Sequence, residues 1–135
     1  MAWRNYRPAY KGTGARASKY GAQKKQYNGM TFDSARELRR WQELELMQRG
    51  GMIADLQRQV KFVLIPAQRE PDTIGKRGGV HKGRLIEKEV AYYADFVYTE
   101  NGAQVVEDAK GMRTPEYVIK RKLMLYMHGI RVREV

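Results

Sequence analysis

The chain is predicted to fold as a mixed α/β layer protein, with helices packed on a small sheet. Three observations predict it. Two segments carry apolar residues at helical spacing behind start signals, Asp33-Ser34 and Thr114-Pro115-Glu116. Between and after them lie runs rich in valine, tyrosine and phenylalanine. Two Asn-Gly dipeptides, Asn28-Gly29 and Asn101-Gly102, mark tight hairpins. The resulting order is helix, strand, strand, strand, helix, strand.

Asn28-Gly29 separates Tyr27 from Met30 and Phe32, which predicts a small hairpin. A helix follows, capped by Asp33 or Ser34 and running to about Arg49 before Gly50-Gly51. Leu38, Trp41 and Leu44 form its apolar stripe, with Arg36, Arg39, Arg40 and Glu43 on the opposite side. Val60 to Ile65 is a compact apolar run stopped by Pro66, as in a buried strand. Residues 69–84 are rich in glycine and charge, five cations against two acids, and are expected to be a mobile loop. Leu85 to Tyr98 and Ala103 to Lys110 are two strands joined by Asn101-Gly102. Thr114 then caps a helix with Pro115 at its first position; Ile119, Leu123, Tyr126 and Met127 are its expected buried stripe, and Gly129 its end. Ile130 to Val135 reads as a last short strand.

Composition narrows the chemistry. The 135 residues, 42% hydrophobic, suit one domain with a modest core. A net charge of +11, from 26 basic and 15 acidic side chains, favours a polyanionic partner, nucleic acid first, because each cation placed on a phosphate releases a counterion. Residues 1–30 hold Arg4, Arg7, Lys11, Arg16, Lys19, Lys24 and Lys25 and no acid. Interleaved Trp3, Tyr6, Tyr10 and Tyr20 suit base stacking as well as phosphate contact. Residues 1–18 are therefore read as a basic arm and residues 19–135 as the folded domain. No apolar run approaches the ~18 residues of a membrane span, and none resembles a signal peptide, so a soluble protein without membrane contact is expected. With no cysteine, thiolate metal sites are excluded, and a metal would be held by oxygen ligands or by His81 and His128. Neither histidine has a second one at ligand spacing. The glycines of residues 75–79 do not lead from a strand into a helix, which argues against a phosphate-binding loop.

The segment from Asp95 to Lys110 carries the chemistry. On a strand, residues two apart share a face, so Asp108 and Lys110 point together while Glu107 points away. Asp95 lies on the partner strand, and it and Asp108 both interrupt apolar stretches, where unpaired carboxylates are costly. A cation between two such carboxylates removes the repulsion, and Mg²⁺ accepts this kind of oxygen ligand set. The alternative is a surface ion pair of Asp108 with Lys110, worth less than about 1 kcal/mol. Glu37 falls on the apolar stripe of the first helix, aimed inward. It also fits a capping box, Ser34-Ala35-Arg36-Glu37, and the residues alone leave both roles open.

An inward glutamate on the first helix, an aspartate on the second strand and Asp108-Ala109-Lys110 on the third resemble the PD-(D/E)XK nuclease superfamily and its αβββαβ, restriction-endonuclease-like core. Lys19-Tyr20-Gly21-Ala22, Phe32-Asp33-Ser34 with Glu37, Tyr93-Ala94-Asp95-Phe96, Val106 to Gly111, and Gly129 to Val135 are similar to a phage and prophage family of small nuclease-like proteins related to archaeal-type Holliday junction resolvases. The resemblance spans residue 18 to the C-terminus. It implies a Mg²⁺-dependent endonuclease, with Mn²⁺ able to substitute, acting in the cytoplasm of the host bacterium. Glu37, Asp95, Asp108 and the Ala109 carbonyl would ligate the metal, and Lys110 would be the catalytic lysine. No small-molecule cofactor is implied. Branched DNA is the expected substrate and a homodimer the expected assembly, since paired cuts at a two-fold junction call for two sites. Arg16, Lys19, Lys24, Lys25, Lys76, Arg77, Lys120 and Lys122 are the candidate DNA contacts. Because Glu107 directly precedes Asp108, a strand bulge would change which acid faces the metal. The alternatives are a noncatalytic basic DNA- or RNA-binding module, and a nuclease acting on flaps or nicking duplex.

Overall fold

A computed structural model describes residues 23–135. The basic arm with Arg16, and residues 19–22 with Lys19, lie outside the described residues. In chain order the elements are β1 (Lys25–Tyr27), β2 (Met30–Phe32), α1 (Ala35–Arg49), β3 (Ala54–Ile65), β4 (Gln68–Arg69), β5 (Thr73–Ile74), β6 (Val80–His81), β7 (Leu85–Glu87), β8 (Val90–Glu100), β9 (Ala103–Asp108), α2 (Pro115–His128) and β10 (Arg133–Glu134). The main sheet has the order β10-β9-β8-β3; β3, β8 and β9 are antiparallel neighbours, and β10 runs parallel to β9. Leaving aside the short ladders, this is a mixed α/β fold in the expected order, with a mixed sheet and two helices.

Both Asn-Gly hairpins form for the reason given by the sequence: each needs two left-handed residues, and the φ values are 48° and 75° at Asn28 and Gly29, 50° and 76° at Asn101 and Gly102. Ser34, not Asp33, caps α1, accepting the Glu37 N–H at 3.1 Å. Thr114 caps α2 with Pro115 in the first turn, and Gly129 closes it at φ 66°.

The core is divided. Trp41 and Leu44 of α1 pack with Phe32, Ile53, Phe96 and Tyr98. Tyr117 and Met124 of α2 pack with Leu64, Tyr92, Ala94, Val97, Val106 and Val132. Strict alternation along β8 would put Tyr92, Ala94, Phe96 and Tyr98 on one face, yet the first two join α2 and the last two join α1. The strand therefore rolls about its axis next to Asp95.

Four expectations are corrected. The strand placed at Val60 to Ile65 begins at Ala54. The stripe of α2 is rotated: Tyr117 and Met124 are buried, whereas Ile119, Tyr126 and Met127 are exposed. Arg40 does not stand in solvent opposite the stripe but reaches the sheet, where its guanidinium meets Glu107. Residues 69–84, expected as a loop, carry paired strands. Gln68–Arg69 pairs with Leu85–Glu87 and Thr73–Ile74 with Val80–His81, making a two-stranded ribbon that projects from the ends of β3 and β8.

Candidate active site

Register brings the candidate acids together. The β8–β9 ladder runs from the Glu100–Ala103 pair to the Phe96–Glu107 pair, and one further step sets Asp95 opposite Asp108. Beyond that step β8 continues with β3 to Val90, so the sheet forks at these two aspartates. Between the Arg58–Phe96 and Val60–Ala94 pairs, Gln59 stands opposite Asp95 with φ 53°, a left-handed conformation that a non-glycine residue adopts only under local constraint.

Asp95 is the hub. Its Oδ2 accepts the Ala109 N–H at 2.8 Å, and its Oδ1 lies 3.5 Å from Gln59 Nε2. Burial, then the charge of Asp108, with a smaller share from Glu37, pushes its carboxyl well above the ordinary aspartate range against the lowering effect of the Ala109 N–H. The same Gln59 amide donates to Glu37 Oε1 at 3.2 Å, so one side chain bridges the two acids. Glu37 is 3% exposed and turned inward, and it also serves the start of the helix. Its Oε2 accepts the Asp33 N–H at 3.0 Å, one residue before the cap and not the Ser34 N–H of a capping box, while Oε1 faces Gln59 and lies 3.6 Å from Arg58.

Asp108 is 1% exposed. Its Oδ2 accepts from Tyr92 Oη at 2.6 Å, and burial followed by this bond raises the Tyr92 pKa. Its Oδ1 is buried without a hydrogen-bond partner; Lys110 Nζ, 3.4 Å away, attracts it as a charge without bonding alignment. Lys110 in turn lies over the Tyr117 ring, 4.6 Å from the centroid, which holds its ammonium beside the acid. Strand parity is obeyed here. Glu107 points to the opposite face, fully buried, where Arg40 grips it with Nε at 2.6 Å and Nη2 at 3.0 Å and Tyr98 Oη donates at 2.6 Å. It is not available to replace Asp108.

The structure thus gathers Glu37, Asp95, Asp108, Ala109 and Lys110 at one fork. The donor set, carboxylate oxygens with Asp108 Oδ1 buried and unpartnered, suits a hard divalent cation, and burial, then the neighbouring Asp108 charge, raises the Asp95 pKa. Among the described residues no three His, Asp or Glu side chains form a ready-made metal site, and Tyr92, Gln59 and the Ala109 N–H bond the other oxygens. The other expected contacts are scattered. Lys76 and Arg77 sit at the ribbon turn, Lys24 and Lys25 at β1, Lys120 pairs with Glu116 at 3.0 Å, and Lys122 is exposed. His128 bonds the Val63 carbonyl at 2.7 Å, a packing role. Gln59 and Tyr92 were not foreseen as site residues. Gln59 lies outside the apolar run that marked the strand, and Tyr92 reads in sequence as one more strand aromatic.

Among the described residues no helix is long and apolar enough to cross a membrane. No curated protein and no solved structure significantly matches the chain. A family model described as a protein of unknown function (DUF1064) matches residues 17–133, nearly the whole sequence, and the chain belongs to that family.

Proposed function

We propose that the protein is a Mg²⁺-dependent DNA endonuclease of the PD-(D/E)XK type, hydrolysing phosphodiester bonds in branched DNA such as four-way junctions, and acting as a homodimer. The observation that carries this reading is the convergence of Glu37, Asp95 and Asp108 from α1, β8 and β9 at the sheet fork, with Lys110 held against Asp108. Bound Mg²⁺ would lower the pKa of an attacking water and offset charge building on the phosphate. Asp95, Asp108 and the Ala109 carbonyl would hold the ion, with Glu37 as a further ligand. Lys110, fixed by Tyr117 and Asp108, orients the water or donates to the phosphate oxygens. Tyr92 locks the rotamer of Asp108.

One observation favours a noncatalytic basic nucleic-acid-binding module instead: the protein itself partners most of these oxygens, so the carboxylates have structural work without a metal. Supercoiled plasmid, linear duplex, flaps and a synthetic four-way junction incubated with protein and Mg²⁺ separate the readings, with EDTA and Asp108→Ala as controls. Cleavage of the junction that needs both Mg²⁺ and Asp108 is expected. Binding without such cleavage refutes the enzyme, and cutting of flaps or duplex with junctions intact changes its substrate.

A further inference from the structure

The ribbon between β3 and β8 takes no part in the site, yet it is a built element. The Glu70 N–H bonds the Arg84 carbonyl at 2.9 Å, Asp72 Oδ1 accepts the Gly83 N–H at 2.8 Å, and Arg69 Nη1 donates to the Gly83 carbonyl at 3.1 Å. Gly83 is packed so closely on this turn that a Cβ would stand 1.7 Å from the Glu70 carbonyl oxygen. The outer turn is closed by Gly75 and Gly79.

What this scaffold presents is unusual for a surface. Ile74 and Val80 are direct cross-strand partners, 79% and 71% exposed, so two β-branched side chains stand together in solvent, part of neither core cluster. The segment from Thr73 to Lys82 surrounds them with Lys76, Arg77 and Lys82 and contains no acid. Among the described residues none of these three cations has an ion-pair partner, whereas Glu70 at the ribbon base is paired with Arg84. A tip that is both cationic and apolar repels a second copy of itself and matches a phosphate-lined surface with exposed base faces.

We propose that the ribbon tip is a wedge that recognises the branch point of DNA, its cations on flanking phosphates and the Ile74–Val80 pair against unstacked bases. This rests on the DNA-binding part of the reading above, not on cleavage. A two-stranded ribbon fits the major groove, and apolar side chains inserted at a base step must offset its unstacking. At a branch point that stacking is already interrupted, so the wedge favours branched over linear DNA. The ribbon springs from Val90, five residues or about 17 Å along the strand from Asp95, and the Ile74–Val80 tip lies farther out, ten residues from Val90 along the chain, so the wedge would hold the branch beyond the fork and not on it.

Fluorescence anisotropy with the full chain in EDTA, which prevents cutting, tests it on a four-way junction and a linear duplex of equal length, each carrying 2-aminopurine at or opposite the branch position. Ile74→Ser with Val80→Ser should weaken junction binding roughly tenfold, leave duplex binding within about twofold, and abolish the rise in 2-aminopurine emission given by the native chain. Lys76→Ala, Arg77→Ala and Lys82→Ala together should weaken both ligands and flatten the salt dependence by about 2.7 in log–log slope. Equal effects of the serine variant on junction and duplex, no effect on either, silent 2-aminopurine with the native protein, or a variant that changes sedimentation instead of DNA binding each overturn the proposal. If the junction is bound through the tip but never cut in Mg²⁺, the wedge stands and the endonuclease reading falls; if it is cut while the serine variant binds normally, the wedge alone falls.

Discussion

Replacing Arg40 by alanine should show that the two neighbouring acids of β9 have different work. Glu107 has no exposed side-chain surface and receives two guanidinium bonds, at 2.6 and 3.0 Å, plus the Tyr98 hydroxyl. Without Arg40 a buried carboxylate keeps one neutral donor. Two charge-assisted bonds at about 1.5–3 kcal/mol each, and the measured range of about 3–5 kcal/mol for breaking a buried pair, agree on the scale. Arg40 is itself 22% exposed, so water entering its vacated place should hold the loss near the lower end, about 3 kcal/mol, or on the order of 10 °C in Tm. Glu107→Gln should cost less, because the guanidinium left behind can reach solvent. The double variant should show a coupling energy above about 1.5 kcal/mol in urea melts. Asp108→Asn, one residue on, should leave stability within about 1 kcal/mol of the native chain and abolish Mg²⁺-dependent cleavage. Should Arg40→Ala melt with the native protein, or Glu107→Gln abolish cleavage while folding normally, the assignment of faces on β9 is wrong.

Asp95 makes a pH prediction. Its folded-state pKa, about 7 against an ordinary 3.8, is raised, so the stability it lends is full below the lower value and is lost as pH rises through the upper one. In EDTA the protein should lose about 2–3 kcal/mol between pH 5 and pH 8 from this group; Asp95→Asn should flatten that slope, and Mg²⁺ should raise Tm more at pH 8 than at pH 5. An Asp95→Asn variant with the native slope counts against burial and the Asp108 charge raising the Asp95 pKa. Lys110→Met keeps an apolar stem on Tyr117 and removes the ammonium, so cleavage should fall about 100-fold or more while the urea midpoint holds. Tyr92→Phe should cost about 1–3 kcal/mol by leaving Asp108 Oδ2 short of a donor, and should change Mg²⁺ affinity by calorimetry about tenfold or more.

How much of this was legible in the sequence depends on the range of the forces involved. Asn-Gly turns, the Thr114 cap and the Asp108/Lys110 parity are set within a few residues and stand as expected, and Ser34 is one of the two caps the sequence allows for the first helix. The α2 stripe was not: Ile119, Tyr126 and Met127 compete with Tyr117, Val118 and Met124 on nearly equal apolar terms, and the choice falls to tertiary partners, the Arg121–Glu134 and Tyr117–Glu134 contacts. The ribbon shares its glycine-rich, charged composition with an open loop, and what orders it are contacts such as Asp72 to Gly83, eleven residues apart. Gln59 has no periodic signature, since its role follows from a left-handed backbone opposite Asp95.

Parity on β9 also bears on how such a chain can change in length. Inserting or deleting one residue between Gly102 and Val106 would turn Glu107 toward the fork and Asp108 toward Arg40, exchanging anchor and site in a single event. Hairpin ends usually absorb such changes freely; this one should be frozen in length, and variation among relatives should collect instead in the ribbon, whose ends meet across a local ladder and whose extension leaves both cores in register.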